Sequence, residues 1–361
     1  MTEGPTITTI AQRAGLSIAS VSRVLNGLPT REDTVRRVMR AADELGYVPN
    51  SVARSLRNRR THQIAFALSD IGNPVYVAMV REIQAVLKAA GYRLLLHSTE
   101  GDPEDEVCVL RGLRERYVDG LIISPLRGVG EEHIEAVTTA RVPVVVVGPV
   151  PEGTPVDTVR GDSRTGVLLA MDHLHGLGRR RIGLLNGPLG TAPGAARAAA
   201  YREALELLGL PYDESLVEVG DFTRDRGARA ARALLARAPG LDALMCASDL
   251  IALGALDVLR EQGRDVPGDV AVVGMDDTEL ASVAWPSLTS VSLGWAERGR
   301  AAARLLLDRL RDGSLPPRVV TVEPGLMVRC STGGGPRTAF ATRALARASA
   351  RALALAGGDR P

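Results

Sequence analysis

Residues 14–27 read AGLSIASVSRVLNG, and this stretch decides how the N-terminal part of the chain folds. Gly15 ends one helix, since glycine adopts the left-handed conformation of a helix C-terminus without steric cost. Ser17 opens the next, its hydroxyl placed to accept a free amide of the first turn. Upstream, Thr6 is the corresponding cap for ITTIAQRAG, and Ile7, Ile10, Ala11 and Ala14 fall on one face at helical spacing. Downstream, Val21, Val24 and Leu25 form the inward stripe of the second helix, leaving Ile18, Ala19, Ser22, Arg23 and Asn26 on the other side. Two short helices about a tight glycine turn make a helix-turn-helix. A third helix is predicted from Arg31 to Leu45, with Val35, Val38, Ala42 and Leu45 inward and Gly46 ending it.

Charge is uneven around this head. Residues 1–60 hold ten Arg against five acids, and residues 337–361 hold five Arg against one, within a total of only +2. A basic head on an acidic body points to nucleic-acid contact confined to one module. The 361 residues suit two or three domains, and 45% apolar with 24% charged residues allows large cores. No apolar run reaches membrane-spanning length, and MTEGPTITTI lacks a basic start followed by an apolar stretch, so a cytoplasmic location and no membrane contact are expected. Lys88 is the only lysine and Ala89 follows it, which excludes a phosphate loop ending in Gly-Lys-Ser/Thr. Cys108, Cys246 and Cys330 are odd in number and far apart, and read as reduced core thiols.

From residue 62 the pattern alternates strand and helix. Apolar runs such as QIAFAL (63–68), GLIISP (120–125), PVVVVG (143–148) and DVAVVGMD (269–276) are separated by helical stretches such as 73–91 and 193–209. Eight such runs stand here, the others being YRLLLH, RIGLLNG, SLVEVG and DALMCAS. Helices end at Gly91, Gly178, Gly209 and Gly263. Continuous apolar strands joined by helices give parallel sheets covered on both faces. So many strands suit two lobes better than one sheet, and ligands bind outside the carboxyl ends of such strands.

AGLSIASVSRVLNG followed by TVRRVMRAADELGYVPNSVARSLR resembles the head and hinge of LacI/GalR-type bacterial repressors. DIGNPVYVAMV (70–80), VDGLIISP (118–125), residues 161–188, VAVVGMDDTELA (270–281), LTSVS (288–292) and LMVRCST (326–332) continue the resemblance in order. It implies an α/β chain: a helix-turn-helix domain (1–48), a hinge helix and linker (49–60), a bilobed periplasmic-binding-protein-like body of two doubly wound parallel sheets (61–336) and an Ala/Arg-rich extension (337–361). It also puts the lobe crossings near residues 160, 290 and 322. The loop NGLPTREDT is one residue shorter than usual in the family, and Val35, Gly148 and Pro193 stand where Arg, Asp and a polar residue are common.

The resemblance implies the roles as well. Ile18 and Ala19 enter the major groove as apolar contacts, and Arg23 donates to guanine O6 and N7. Thr6, Ser17, Ser22 and Asn26 position the helix on phosphates. Asn50, Ala53, Arg54 and Leu56 lie on the hinge helix, with Leu56 as a minor-groove wedge. Two chains meet on a pseudo-palindromic double-stranded operator. Tyr76, Asp162, Arg197, Phe222, Ser248, Asp249 and Asp276 match effector-binding positions, and a carboxylate-plus-aromatic set favours a neutral saccharide, with a purine stacked on Phe222 as the alternative. The expected function is a transcriptional repressor of carbohydrate-utilisation genes released by a sugar, the alternative a co-repressed regulator. No cofactor, metal or enzymatic activity is expected. His173 and His175 are two apart and face differently, and the elbow-like Gly161–Gly166 is one residue too long.

Overall fold

A computed structural model of the chain describes residues 5–26, 28–47, 60–334 and 338–340. They fall in two compact units, residues 1–61 and 62–361. The first holds α1 (Ile7–Ala14), α2 (Ile18–Leu25) and α3 (Glu32–Glu44). Thr6 caps α1, accepting from the Thr9 amide while Thr9 Oγ1 accepts from the Thr6 amide. Ser17 caps α2 by accepting from the Ser20 amide at 3.1 Å. Gly15 sits between them at φ 63°. Ile10, Ala11, Ala14, Val21, Val24, Val38, Ala41 and Ala42 form the small core. Val35, expected inward, is exposed. Two eight-residue partners cannot cover all of a 13-residue helix, so the first turn of α3 stays uncovered and Ala41 takes the inward place.

The second unit has two sheets. The N-lobe sheet contains β1 (Gln63–Leu68), β2 (Arg93–Ser98), β3 (Gly120–Ile123), β4 (Val144–Val147), β5 (Asp157–Gly161) and β11 (Val319–Val322), in the order β11-β5-β4-β3-β1-β2, all pairs parallel. The C-lobe sheet contains β6 (Ile182–Asn186), β7 (Val217–Val219), β8 (Ala243–Cys246), β9 (Ala271–Met275), β10 (Thr289–Ser292), β12 (Gly325–Val328) and β13 (Thr338–Phe340), in the order β13-β12-β10-β9-β8-β6-β7. Only β12 and β13 run antiparallel to their neighbours. Helices α4 (Val75–Ala89) and α12 (Trp295–Arg311) cover one face of the N-lobe sheet, α5 (Pro103–Gly112) and α6 (Glu131–Thr138) the other. In the C-lobe, α7 (Ser163–Gly176) and α8 (Ala192–Leu208) oppose α9 (Arg224–Arg237) and α10 (Asp249–Glu261), with the short α11 (Glu279–Val283) beside α10.

The chain crosses between lobes at Asp162, at Leu293–Gly294 and at Glu323–Pro324. The strands flanking these crossings, β5, β10, β11 and β12, went unread in the sequence. β5 and β10 carry polar residues (DTVRG, TSVS) although most of their positions are buried, so neither shows a continuous apolar run. Cys246 is buried, but Cys108 is exposed on the outer side of α5, whose inner side is filled by Glu106, Val107 and Leu110.

Helices α9 and α10 approach so closely that each needs a glycine. A Cβ on Gly254 would lie 2.1 Å from the Arg224 carbonyl, and one on Gly227 2.4 Å from that of Ile251. The contact fixes the spacing between the start of α9, just after Phe222, and the start of α10, at Asp249. Gly254→Ala should therefore lower the urea-unfolding free energy by about 1–3 kcal/mol through overpacking, measured with the glycine protein as reference.

Candidate functional site

The carboxyl ends of the two sheets face one cleft, which encloses a cavity of 230 Å³. Tyr76, Arg197, Phe222, Ser248, Asp249 and Asp276 all line it. Tyr76 comes from the first turn of α4, its hydroxyl 2.7 Å from Ser69 Oγ and its ring edge-on to Phe66. Ser248 caps α10 by accepting from the Ile251 amide, which leaves the next residue, Asp249, in the first turn. Asp249 is fully engaged: it accepts from the Thr278 amide, Thr278 Oγ1 and Ser290 Oγ. Asp162 is placed differently. It caps α7 at the first crossing, bonded to the Thr165 amide and hydroxyl, and is not among the cavity-lining residues.

At the floor lies a buried charge cluster. Arg197 on α8 donates to the Ala247 carbonyl and places Nη2 3.5 Å from Asp276 Oδ1. Its guanidinium lies over the Phe222 ring, 5.8 Å from the centroid. Phe222 in turn rests on Gly187, where a Cβ would fall 2.0 Å from the ring. Asp276 ends β9 with φ 109°, a left-handed conformation strained for a non-glycine residue. Its Oδ1 has no hydrogen-bond partner, nor do Arg197 Nε, Arg298 Nε and Trp295 Nε1. Buried polar groups left unpaired are costly, and a cluster of them facing a cavity marks a place for a polar ligand.

Trp295 and Arg298 went unread in the sequence. Both stand in the first turn of α12, just past the second crossing, and both line the cavity. Arg298 lies over the Trp295 ring at 4.1 Å, and Trp295 packs against the cores of both lobes. A Trp three residues before an Arg directly after LTSVSLG was the available signal. Gly148 and Pro193, the two departures from the family pattern, also line the cavity. They remove side-chain hydrogen bonding from that corner.

Burial pushes Asp276 up to about 6, against the pull of the Arg197 and Arg298 charges. Burial, with the charge of Asp276, pushes Asp249 up to about 7. Burial lowers Arg197 and brings Arg298 down to about 10. The cleft thus holds charges whose solvation it does not fully replace.

On the head, Ile18 is 53% exposed, and Ala19 and Arg23 are exposed beside it. Thr6 and Ser17 are exposed caps whose hydroxyls accept amides, and Ser17 Oγ also lies 2.9 Å from Ser20 Oγ. Asn26 is half-buried and donates to the Ser22 carbonyl and Oγ, closing α2. Asn50, Ala53, Arg54 and Leu56 lie outside the described residues. Among the described residues no group of His, Cys, Asp and Glu could hold a metal ion, and no helix is long and apolar enough to cross a membrane.

Comparison with known proteins agrees with both parts. Residues 6–50 match the model of bacterial regulatory proteins, lacI family, and residues 171–332 that of a periplasmic binding protein-like domain. The chain is 40% identical to the HTH-type transcriptional regulator CelR of Thermobifida fusca, over 90% of this chain and 97% of that one. A solved CelR–cellobiose complex is 38% identical with a TM-score of 0.69, covering 91% and 99% of the two chains. The Lac repressor dimer bound to operator and the anti-inducer ONPF is 26% identical with a TM-score of 0.82, again covering 91% and 99%.

Because an unfolded aspartate titrates near 3.8, Asp276 favours its protonated form in the fold. Its contribution to stability is present at low pH and is lost as pH rises through about 6. Between pH 5 and pH 8 the wild-type unfolding free energy should fall by about 1 kcal/mol more than that of Asp276→Asn. Paired urea titrations at the two pH values check this.

Proposed function

The chain belongs to the lacI family of bacterial regulatory proteins, and we propose that it is a sequence-specific repressor of carbohydrate-utilisation genes, released from its operator by a sugar. One observation carries this reading. The same chain pairs a helix-turn-helix whose outer face is open with a cleft whose floor leaves Asp276 Oδ1, Arg197 Nε and Arg298 Nε without a hydrogen bond. A sugar hydroxyl donates and accepts at once, so it can bridge Asp276 Oδ1 and the Arg197 fork. The relative bound to cellobiose makes a glucose disaccharide the first effector to test. A purine held for co-repression is less well served, because the Arg197 guanidinium already lies over Phe222.

Arg23, Ile18 and Ala19 read base edges, Thr6 and Ser17 set the helix on phosphates, and Leu56 serves as the minor-groove wedge. The protein acts in the cytoplasm as a regulator and not as an enzyme, and two copies bind a pseudo-palindrome. Exposed apolar side chains in the C-lobe, Val283 and Trp285 (the latter 86% exposed), offer a face for the second copy. The effector acts by preferring one lobe arrangement, since only differential affinity can move the equilibrium.

Fluorescence anisotropy on a labelled pseudo-palindrome from DNA beside the protein's own gene, at fixed salt, tests the whole reading. Cellobiose should release the DNA, and Arg23→Ala should weaken binding by about tenfold or more. Binding strengthened by a purine and indifferent to every sugar would replace induction with co-repression. In sedimentation equilibrium, Trp285→Ala should raise the dimer dissociation constant by about thirtyfold, the loss of one interface hot spot.

A further inference from the structure

The two lobes also meet through their main chains at the cavity wall. The Ala192 amide, first in α8, donates to the Leu126 carbonyl at 3.0 Å, and both residues line the cavity. An amide at the first position of a helix has no partner within that helix, so this bond across the cleft is what satisfies it. Leu126 follows β3 in the N-lobe and is held from behind. Its own amide donates to Glu106 Oε1 at 3.3 Å, and Glu106 Oε2 lies 3.0 Å from His133 Nε2. The Gly130 amide donates to His133 Nδ1 at 3.4 Å. With Nδ1 accepting, the imidazole proton sits on Nε2 and is donated to Glu106.

Glu106 and His133 are 1% and 5% exposed. A carboxylate and an imidazole gain nothing from apolar burial and cost stability unless their bonds are met. Theirs run to the two ends of the 126–130 loop and to each other. We propose that Glu106 and His133 are positioning residues for a latch, the Leu126–Ala192 bond, that holds the lobes closed over the effector and so sets effector affinity. The consequence for affinity rests on the effector reading above; the latch itself does not.

Hydrogen exchange on the ligand-free full-length protein tests the latch first. His133→Ala and Glu106→Ala should speed exchange of the Leu126 and Ala192 amides by about tenfold or more, the loss of one hydrogen bond. Glu106→Gln, which keeps one acceptor oxygen for the two donors Leu126 N–H and His133 Nε2–H, should speed Ala192 exchange by less than Glu106→Ala does. The Thr165 amide, capped by Asp162, should not change in any variant. Ala192 exchange unaltered in both alanine variants would overturn the proposal.

Ala192→Pro deletes the donor from the other lobe at a position where proline suits a helix, after a residue already extended at φ −104° and ψ 147°. Cellobiose affinity, followed by tryptophan fluorescence, should fall by about tenfold in Ala192→Pro and in His133→Ala, and no further in the double variant. Multiplied losses in the double variant, or unchanged affinity in Ala192→Pro should the core variants fail to fold, would overturn the role in affinity. Failure of wild-type protein to bind cellobiose or any other sugar, with the exchange result as expected, would remove the effector reading and leave the latch.

Discussion

Asp276 sits where three requirements meet, and the cleft is arranged around it. It ends a central parallel strand, so the geometry of α/β sheets aims it at the crevice. Its backbone is held at φ 109°, which sets it apart from an ordinary strand terminus. It lies between charges from both lobes: Arg197 from the C-lobe, and Arg298 from a helix packed on the N-lobe sheet. None of the three is fully satisfied by protein atoms. A cluster of this kind costs free energy when empty and returns it when a hydroxylated ligand completes the missing bonds.

The three crossings lie at one end of both sheets, at Asp162, Leu293–Gly294 and Glu323–Pro324, and each lobe keeps its own two-faced core. Trp295 is the exception, since it packs against the cores of both lobes directly after the second crossing. The Leu126–Ala192 bond joins the same two bodies at the cavity wall. The lobes are thus joined by the crossings, by Trp295 and by a main-chain bond between two cavity-lining residues. Asp162 belongs to this hinge: capping α7 ties the first crossing to the helix that follows it.

The head follows different physics. Its eight-residue core side chains are mostly Ala and Val, and much of its outward surface is Arg, Ser and Thr. The hydroxyl oxygens of Thr6 and Ser17 accept the amides that open α1 and α2. Asn26 spends its amide on the end of α2, so its part in positioning the head is to hold the recognition helix closed.

Much of this was legible in the sequence because it depends on local chemistry. Caps at Thr6 and Ser17, the left-handed Gly15, the apolar strand runs and the helix-ending glycines follow from short-range rules, and the structure shows each of them. Six of the seven expected cleft residues line the cavity, and four of them, Tyr76, Ser248, Asp249 and Asp276, sit at strand or helix ends, which sequence patterns mark well. What needed the tertiary structure is whatever depends on residues far apart meeting. β10 has no continuous apolar run because its buried Thr289 and Ser290 hydroxyls are met by Arg329, Thr332 and Asp249, all distant in the chain. Trp295 and Arg298 matter because α12 passes over the N-lobe sheet and presents its first turn to a cleft shared with β9. Glu106, His133 and Ala192 lie on three separate helices, and no spacing in the chain hints that a carboxylate, an imidazole and a helix-starting amide would act through one loop. Secondary structure is written in neighbours, but a cleft between lobes is written in which strand ends the crossings bring face to face.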